Sequence, residues 1–455
     1  MGIAMQQVSA RFQVIFASLV GTTIEFFDFY IYATAAVSVF PLLFFPKGEG
    51  NAALLASMAT FGVAFVARPV GSMIFGHFGD RIGRKVTLVA SLLLMGLATF
   101  IIGLLPSYQQ VGLFAPALLT LMRFCQGLGL GGEWSGAALL ATENADQSHR
   151  ARAAMWPQLG APFGFILANG LFLILTSSFG FDSTKASPDD PFYVWGWRIP
   201  FLVSMVLVIF GLYVRMRLYE TPVFARAVER GERVKSPLLH VFSNNFREIV
   251  LGTCVMVATY GIFYTMTTWV LSYAIGNPQL GGLGIGYRSF LPLQLGAVLF
   301  FAAFIPVSGV LADRFGRRAV LLAATALIIF FGFTFGTFLS QSLMGAGPNA
   351  NLLLMFAFLS LGMALMGLTF GPMSAILPEL FPTHTRYTGS GIAYNFASIL
   401  GAALTPFVAT WLSHEYGVGS VGNYLSGLGV LTFVALLFVK ETRNTDLETM
   451  QANNR

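Results

Sequence analysis

About twelve long apolar stretches divide this chain of 455 residues, and each is long enough to cross a lipid bilayer as a helix. Their approximate centres are residues 27, 65, 95, 127, 166, 206, 259, 300, 328, 365, 400 and 430. A spanning helix needs roughly 20 predominantly apolar residues. Runs such as VTLVASLLLMGLATFIIGLL are continuous, whereas the strands of a spanning β-barrel alternate in segments of about ten residues. The sequence therefore predicts an all-α integral membrane protein with twelve transmembrane helices.

The composition excludes a soluble globular protein. Hydrophobic residues make up 56% of the chain and charged residues 10%, whereas a soluble domain carries about 25% charged residues. The net charge of +6 does not indicate a nucleic-acid partner, because the basic residues lie in short loops and not on one soluble module. Cys125 and Cys254 lie inside apolar stretches and the five His are scattered, so we predict no disulfide framework, metal site or other cofactor.

The positions of Lys and Arg predict the orientation, because cytoplasmic loops are enriched in these residues. With both termini in the cytoplasm, the outer loops hold Lys47, Lys185, Arg198 and Arg288, and the inner loops hold most of the others. The longest inner polar stretch, residues 219–246, separates six spans from six. We interpret it as a linker with an amphipathic helix on the membrane surface. It divides an N-terminal half, 1–218, from a C-terminal half, 247–455, that ends in a short cytoplasmic tail.

An internal repeat relates the two halves. GHFGDRIGRKVTL begins at Gly76 and GVLADRFGRRAVL begins at Gly309, and the two segments align without gaps. Two spans further on, each half has a Glu followed by an Arg at the same spacing. The matched residues are Asp80 and Asp313, Arg81 and Arg314, Gly83 and Gly316, Arg84 and Arg317, Glu143 and Glu379, and Arg150 and Arg386. Duplicated six-helix halves related by an axis along the membrane normal are one known transporter design.

These loops resemble the signature of the major facilitator superfamily, which occurs after spans 2 and 8. RFCQGLGLGGE in span 4 and LPELFPTHTRYTG after span 10 resemble two further motifs of that superfamily. GTTIEFFDFYIYATAA, FVARPVGSMIFGHFGDRIGRK and QGLGLGGEWSGA resemble the metabolite:H+ symporter family. The resemblance implies a monomeric transporter of the bacterial inner membrane. Its substrates would be carboxylates or zwitterionic osmolytes such as proline and betaine.

By this resemblance, the residues of the repeated motifs latch the inner ends of the helices and govern conformational switching without touching substrate. They are Gly76, Asp80, Arg81, Gly83, Arg84, Glu143, Arg150, Asp313, Arg314, Gly316, Arg317, Glu379 and Arg386. The alternative interpretation, a topology signal alone, explains the basic residues of the motifs but not the matching Asp and Gly residues.

Ionisable residues inside the predicted spans are the main candidates for a site, because each costs at least about 2.5–3.5 kcal/mol near the middle of a spanning helix. Glu25 and Asp28 lie three residues apart in span 1, so they share one helix face, which Tyr32 extends. Two like charges this close favour protonation of one carboxyl group, and a proton carrier needs such a group. The alternative is a structural pairing of one acid with an Arg elsewhere in the bundle.

Arg68 and Arg123 are the two cations inside the predicted spans, and a guanidinium offers a planar fork that suits a carboxylate. By the resemblance, Arg123 matches the arginine that the superfamily associates with proton coupling. Gln126 lies on the face of Arg123, whereas Glu133 lies about 15 Å further along the axis and cannot pair with Arg123 within one helix. A structural ion pair with an acid on span 1 is the alternative interpretation of Arg68.

Uncharged polar residues complete the set of candidates. They are Gln158 and Asn169 in span 5, Tyr260 and Tyr264 in span 7, and Tyr394 and Asn395 in span 11. Two interpretations stay open for each: it lines a water-filled cavity, or it bonds between helices for about 0.6 kcal/mol.

These residues predict a transporter and not an enzyme, since the spans contain no Ser/His/Asp set or nucleotide-binding loop. We expect proton-coupled symport of a small organic anion by alternating access, with the proton as the coupling ion. The protein would be embedded in membrane lipid and would have no nucleic-acid partner. The alternative is a proton symporter of a zwitterionic osmolyte. Osmosensing members of that kind carry a long C-terminal coiled coil, whereas the residues after Lys440 show no run of heptads. A channel or sensor without coupled transport is the alternative of another class.

Overall fold

The computed structural model describes residues 2–46, 52–179, 187–217, 221–229 and 236–443, and within these ranges all regular secondary structure is helical. The twelve long helices are α1 (Gly2–Ser38), α2 (Ala52–Arg81), α3 (Arg84–Leu104), α4 (Phe114–Glu143), α5 (Gln147–Ser178), α6 (Phe192–Met216), α7 (Phe246–Ile275), α8 (Tyr287–Phe315), α9 (Arg317–Phe333), α10 (Leu352–Glu379), α11 (Thr383–Tyr416) and α12 (Val418–Phe438). Shorter helices in the connections are Phe40–Leu43, Tyr108–Val111, Pro222–Glu229, Pro237–Asn244, Phe335–Phe338 and Gln341–Met344.

Ten of the long helices qualify as membrane spans by length and apolar composition. The other two are α4, whose 30 residues include Arg123, Glu133 and Glu143, and α9, which has 17 residues. Both pack among the apolar helices, α4 on α2 and α3, and α9 on α10 and α12. The predicted all-α membrane fold with twelve helices is therefore confirmed. The charged residues of α4 and the short length of α9 explain why these two helices resemble membrane spans less closely.

The predicted linker is described only in part. Residues 219–220 and 230–235 lie outside the described ranges, as do Lys47, Lys185 and the tail from residue 444. Two short helices, Pro222–Glu229 and Pro237–Asn244, occupy most of the rest. A helical piece thus lies where the sequence predicted one, and its position on the membrane surface stays a prediction.

Irregular turns interrupt α5, α7 and α11. The break in α5 lies at Leu159, two residues after Pro157, and proline removes a backbone donor from the helix ladder. A π-helical turn occupies Thr265–Trp269 in α7, and another occupies Ile399–Ala403 in α11. Such turns are found frequently at functional sites, and these two follow the tyrosines that the sequence singled out.

The helices form two compact units. Unit 1 comprises residues 1–144 and 159–239, and unit 2 comprises residues 145–158 and 240–455. The first part of α5 therefore groups with unit 2, and its second part groups with unit 1. The predicted division of the chain at residues 219–246 stays a prediction.

Glycines let helices touch inside each unit. A Cβ on Gly71 of α2 would stand 2.8 Å from the Cα of Leu128 on α4. In unit 2, a Cβ on Gly367 of α10 would stand 2.8 Å from the carbonyl oxygen of Phe301 on α8. Close backbone approach at small residues holds helices together where lipid removes the hydrophobic effect between them.

Candidate functional site

Unit 1 encloses a buried ion pair between Glu133 on α4 and Arg215 on α6. Arg215 Nη1 lies 2.8 Å from Glu133 Oε2, and Nη2 bonds to Oε1, so the contact is bidentate. Nη1 also donates to the carbonyl of Leu88 at 3.0 Å, and the hydroxyl of Ser91 donates to Glu133 Oε2 at 3.2 Å. Both charged side chains are almost fully buried. The pair and its additional hydrogen bonds offset the cost of removing two charges from water.

Glu25 on α1 lies in the field of this pair. It is 1% exposed, and the charges of Arg68 on α2, Glu133 and Arg215 act on it. The alternative interpretation of Arg68, an interaction with an acid on span 1, agrees with this arrangement. Glu133 is a like charge near Glu25 that the sequence did not predict, and the prediction that Asp28 supplies one stays a prediction. Residues three apart point about 60° apart around a helix, which is enough to aim the two acids at different neighbours.

Asp28 has hydroxyl partners instead of an ion pair. The hydroxyl of Ser204 on α6 donates to Asp28 Oδ1 at 2.5 Å, and Thr99 on α3 is its second hydroxyl neighbour. The side chain is fully buried, and Oδ2 has no hydrogen-bond partner within the described ranges. Asp28 can therefore gain or lose a proton without breaking a bond to a guanidinium.

Arg123 on α4 lies over aromatic rings of α1 and α2. Its guanidinium carbon is 3.9 Å from the centroid of the Tyr32 ring, 5.0 Å from that of Phe61 and 5.2 Å from that of Phe29. The Tyr32 hydroxyl is in turn 2.7 Å from the hydroxyl of Thr60. A desolvated cation over a ring face gains about 2 kcal/mol, so Tyr32 fixes the position of the arginine.

Gln126 connects this arginine to the backbone of α1 at Asp28. Its Oε1 accepts a hydrogen bond from Arg123, and its Nε2 donates to the Thr99 hydroxyl at 2.8 Å and to the carbonyl of Asp28 at 3.3 Å. The structure thus brings Asp28, Tyr32, Arg123 and Gln126 together. Their role in transport stays a prediction.

The two amides predicted on α5 bond to neighbours in their own units. Asn169 accepts from the Thr34 hydroxyl at 3.3 Å and donates to the carbonyl of Phe165 at 3.1 Å. Gln158 donates to the carbonyl of Phe370 on α10 at 2.6 Å. Both interhelical contacts fit the alternative that these amides bond between helices, and cavity lining stays a prediction for both.

Three of the predicted residues form an aromatic cluster in unit 2. The ring centroids of Tyr260 on α7 and Tyr394 on α11 are 5.3 Å apart, and those of Tyr260 and Tyr264 are 6.4 Å apart. All three rings are buried. Asn395, the next residue on α11, donates to the carbonyl of Gly391 at 2.8 Å, so part of its amide is committed to its own helix.

The first repeated loop holds a buried cluster at the junction of α2 and α3. Arg84 Nη1 lies 3.0 Å from Asp80 Oδ1, and its Nη2 lies 3.5 Å from Glu143 Oε1 at the end of α4. The hydroxyl of Thr221 donates to Glu143 Oε2 at 2.6 Å. All four side chains are buried, and Glu143 joins Arg84 of α3 to Thr221 of the chain after α6.

The second repeated loop builds the same cluster in unit 2. Arg317 Nη2 lies 3.4 Å from Asp313 Oδ1, and Arg317 Nε lies 3.4 Å from Glu379 Oε2. The hydroxyl of Thr442 donates to Glu379 Oε2 at 2.5 Å. Arg150, at the start of α5, lies 4.0 Å from Glu379 Oε1. The sequence repeat therefore reproduces an acid–arginine–acid–hydroxyl arrangement.

Backbone geometry explains the matched glycines of the two loops. Gly83 has φ 139° and Gly316 has φ 101°, and side chains other than hydrogen are strained in this region. Gly76 is buried within α2. Arg81 and Arg314 were predicted to belong to the latch, but their side chains are exposed and lie outside the two clusters, because they follow their Asp by one residue and point away from it.

Two of the predicted latch residues, Asp313 and Arg386, also form hydrogen bonds at the starts of helices in unit 2. The carboxylate of Asp313 accepts from the backbone N–H groups of Ala151 and Arg152, both at 3.0 Å. A carboxylate at this place satisfies orphan donors and complements the helix dipole. Arg386, fully buried at the start of the main α11 segment, donates to the carbonyl of Phe381 at 3.1 Å.

Sequence reasoning missed Arg215, Thr221 and Thr442. Arg215 was counted among the inner-loop cations because it lies one residue before the end of α6, yet it is 2% exposed. The threonines carried a usable signal, since a Glu-Thr pair follows the last span of each half, at 220–221 and 441–442. In the second pair, Glu441 accepts from the backbone N–H of Arg317 at 2.9 Å.

The sequence is similar to known membrane transport proteins. The family described as Sugar (and other) transporter matches residues 13–240 and 254–453. The inner membrane metabolite transport protein YhjE of Escherichia coli K12 is 54% identical over 97% of this chain and 96% of its own. The shikimate transporter of the same organism is 32% identical over 94% of each chain. Its proline/betaine transporter is 31% identical over 95% of this chain and 84% of its own.

The fold is also similar to a solved structure. The proton:xylose symporter XylE, of the major facilitator superfamily, aligns with a TM-score of 0.75 over 98% of this chain and 99% of its own. The sequence identity is 17%, so the likeness concerns the arrangement of helices.

Proposed function

This chain belongs to the sugar (and other) transporter family of the major facilitator superfamily, and we propose that it takes up a small organic anion together with a proton, by alternating access. The family and the relatives establish the general class: the chain is a multi-pass membrane protein that transports a metabolite and is not an enzyme. Proton coupling, the anionic substrate and the cytoplasmic location of both termini are the proposal.

The surroundings of Asp28 carry the proposal of proton coupling. The carboxyl group is fully buried, and the hydroxyl of Ser204 bonds to it. A hydroxyl donates to a carboxylate and accepts from a carboxylic acid, so Ser204 serves both protonation states. Glu133 would have to give up its bidentate bond to Arg215 on protonation. We therefore assign the transported proton to Asp28 rather than to Glu133.

One proton supplies enough free energy to concentrate the substrate. A gradient of one pH unit is worth about 1.4 kcal/mol, and a membrane potential of 100 mV adds roughly 2.3 kcal/mol for each net charge that moves. Concentrating a solute tenfold requires about 1.4 kcal/mol. In the proposed cycle, Asp28 binds a proton from outside, the substrate follows, and both leave after the carrier has opened to the cytoplasm.

Two cations of the predicted site favour an anionic substrate. Arg68 and Arg123 are both buried in unit 1, and a guanidinium binds a carboxylate through two parallel hydrogen bonds. A monoanion that enters with one proton is neutral as a pair, so the buried region keeps its total charge through the cycle. The name of the 32% identical relative, shikimate transporter, supports an acid.

A zwitterionic osmolyte is the second candidate, because a relative with 31% identity is named proline/betaine transporter. The two candidates differ in the charge that they move. One proton with a monoanion moves no net charge, whereas one proton with a zwitterion moves one positive charge. A membrane potential therefore drives the second reaction and not the first.

The test uses the purified full chain in liposomes with an inward proton gradient of one pH unit. Labelled mono-, di- and tricarboxylates, shikimate, proline and betaine are offered with and without a protonophore. The wild type is expected to accumulate one acid about tenfold, and the protonophore should abolish the accumulation. Asp28→Asn should only equilibrate that acid. Asp189→Asn is the matched control, because it makes the same change at an exposed position and should behave as the wild type.

Three outcomes contradict parts of the proposal. Accumulation of proline or betaine alone, driven by membrane potential, would establish the second candidate. Equilibration that ignores the protonophore would remove proton coupling and leave a facilitator. Full accumulation by Asp28→Asn would show that a group other than Asp28 carries the proton.

A further inference from the structure

We propose that His240 and His384 form a binding site for a transition-metal ion that prefers imidazole ligands, such as Zn²⁺. The sequence predicted no metal site, because its histidines are scattered along the chain. The fold brings these two together although 144 positions separate them, and both belong to unit 2. The site is separate from the proposed transport reaction and adds a ligand to it.

Two different elements carry the pair. His240 lies in the short helix Pro237–Asn244, which precedes α7, and His384 lies in the turn that begins α11. Five residues before His384, Glu379 ends α10 and pairs with Arg317 in the second loop cluster. A bound ion would therefore join the helix before α7 to the connection between α10 and α11.

The distance between the two rings suits a shared metal ion. The Nε2 atoms face each other at 3.3 Å, and the ring planes are inclined by 72°. Zn²⁺ binds imidazole nitrogens at about 2.0–2.1 Å in tetrahedral geometry, which places two such ligands about 3.3–3.4 Å apart. Without metal, the Nε2–H of one ring can donate to the Nε2 of the other. The ion takes the place of that proton, which moves to the Nδ1 of the same ring.

Asn244 orients the ring of His240. Its amide Nδ2 is 3.2 Å from His240 Nδ1, whereas Nε2 is the atom that meets His384. An amide has a donor end and an acceptor end, so Asn244 can serve this Nδ1 whether or not it carries a proton. A partner on the second ring nitrogen is the usual means of orienting an imidazole that ligates metal.

The site is open to solvent. Among the described residues, no group of three or more His, Cys, Asp or Glu includes this pair, so water would fill the remaining corners of the tetrahedron. Ser243 and Asn244 beside it are exposed, and both rings are half-buried, which gives an ion and its water ligands access.

The fixed charge of Arg386, two residues after His384, acts in two ways. It opposes a proton on His384 and so favours the neutral ring that metal binding requires. The same charge repels a cation. We therefore expect binding that is specific but weaker than at a site with four protein ligands.

The test measures Zn²⁺ binding by the full-length protein in detergent, without a histidine tag. Zn²⁺ is titrated calorimetrically into the wild type and into the variants H240Q, H384Q and H149Q. H149Q is the matched control, because it makes the same change at an exposed histidine outside the pair. The wild type and H149Q should bind one Zn²⁺ per chain. Loss of either paired imidazole should weaken binding at least about tenfold, since even changes to residues around a metal's ligands cost this much.

Thermal unfolding gives a second measurement. A ligand that binds the folded state stabilises it, so Zn²⁺ should raise the Tm of the wild type and H149Q and hardly change that of H240Q and H384Q. Mg²⁺ prefers oxygen ligands and should raise none of them. Co²⁺ replaces Zn²⁺ as a coloured probe in the wild type and should show the visible absorption of tetrahedral coordination, so a variant that does not fold leaves the proposal testable.

The proposal is overturned if the wild type shows no saturable binding of Zn²⁺, or if either variant of the pair binds it as tightly as the wild type. A loss in H149Q as large as in H240Q would also overturn it, because the metal would then bind surface histidines in general. None of these measurements requires transport. A failure of proton symport in liposomes would leave them unchanged.

Discussion

Arginines buried in unit 1 are held by different kinds of partner, and the partner decides what each can do. Arg215 is bound by a carboxylate, and Arg84 lies between two of them, so each guanidinium has acidic partners beside it. Arg123 lies over the ring of Tyr32 and donates to the amide of Gln126. A ring face orients a guanidinium without cancelling its charge, so Arg123 keeps an attraction for an anion.

The Tyr32 ring provides the first prediction at this scale. Tyr32→Leu removes the ring that orients Arg123, so the guanidinium is less well placed for an anion and the KM of the accumulated acid should rise about tenfold, which corresponds to about 1.4 kcal/mol of binding free energy. Tyr32→Phe keeps the ring and loses only the contact with the Thr60 hydroxyl, so its KM should stay within about threefold of the wild type. The measurement is the initial uptake rate in liposomes as a function of substrate concentration. Equal effects of Leu and Phe would assign the role to the hydroxyl instead.

Single residues were predictable where the chain itself sets the geometry. The spacing of Arg123 and Gln126 places them on one helix face, and the structure joins them. The bond between Glu133 and Arg215 joins residues 82 positions apart, and no local pattern encodes it. From sequence alone, an arginine at the end of a span is interpreted as a residue of the cytoplasmic loop. The sequence does not show that Gly21 on another helix leaves space for the side chain of Arg215.

At the scale of elements, the repeated loops show how a short motif fixes a helix junction. Gly83 and Gly316 turn the chain with positive φ, and the arginine that follows each glycine reaches back to the Asp four residues before it. The sequence repeat predicted this equivalence correctly. It did not predict the π turns in α7 and α11, because the extra residue of a π turn leaves no composition signal in an apolar helix.

Gly316→Ala should destabilise the protein through two effects. An Ala at φ 101° is strained by about 1–3 kcal/mol, and its Cβ would stand 2.7 Å from the carboxylate carbon of Glu441, which binds the start of α9. Gly427→Ala on α12 is the control, because its Cβ meets no atom within 4 Å and Ala favours a helix. The thermal unfolding temperature in detergent should fall for the first variant and hold or rise for the second. Equal temperatures would show that this turn adapts to a side chain.

Thr442→Val should weaken the second cluster. The substitution keeps the shape of the side chain but removes the hydroxyl that donates to Glu379, and a hydrogen bond to a charged group is worth about 1.5–3 kcal/mol. Thr442→Ser retains the hydroxyl and should keep most of the stability. The free energy of unfolding, followed in denaturant, measures both. A Ser variant as weak as the Val variant would show that the methyl group is what matters.

On the scale of the molecule, the two units differ more in their interiors than at their repeated loops. The loop clusters are matched residue for residue. In the described spans, Glu25, Asp28 and Glu133 lie in unit 1, whereas the polar residues singled out on α7 and α11 of unit 2 are tyrosines and an amide. Duplication thus preserved the parts that join helices, while the charged interior is a property of the first unit. Proton chemistry is therefore expected in unit 1.

The orientation of the whole chain follows from charge, and two serines allow it to be tested. Ser148 lies in the first turn of α5, close to the end of α4, and Ser342 lies between α9 and α10; both are exposed. If basic loops stay in the cytoplasm, the first serine faces inward and the second faces outward. Each is replaced by Cys in a protein whose Cys125 and Cys254 have been changed to Ala. In intact cells, a membrane-impermeant maleimide should label Ser342→Cys at once and Ser148→Cys only after permeabilisation.

The labelling result bears on the mechanism as well as on topology. The ion-pair clusters of the two repeated loops can govern substrate release to the cytoplasm only if these loops face the cytoplasm. Ser148 lies two residues before Arg150, which reaches Glu379 of the second cluster. If only Ser148→Cys were labelled in intact cells, the chain would have the opposite orientation in the membrane. The proton that drives uptake would then reach Asp28 from the opposite side. Labelling of both positions would contradict the number of helices that separates them, because five spans lie between the two loops and an odd number must place them on opposite faces.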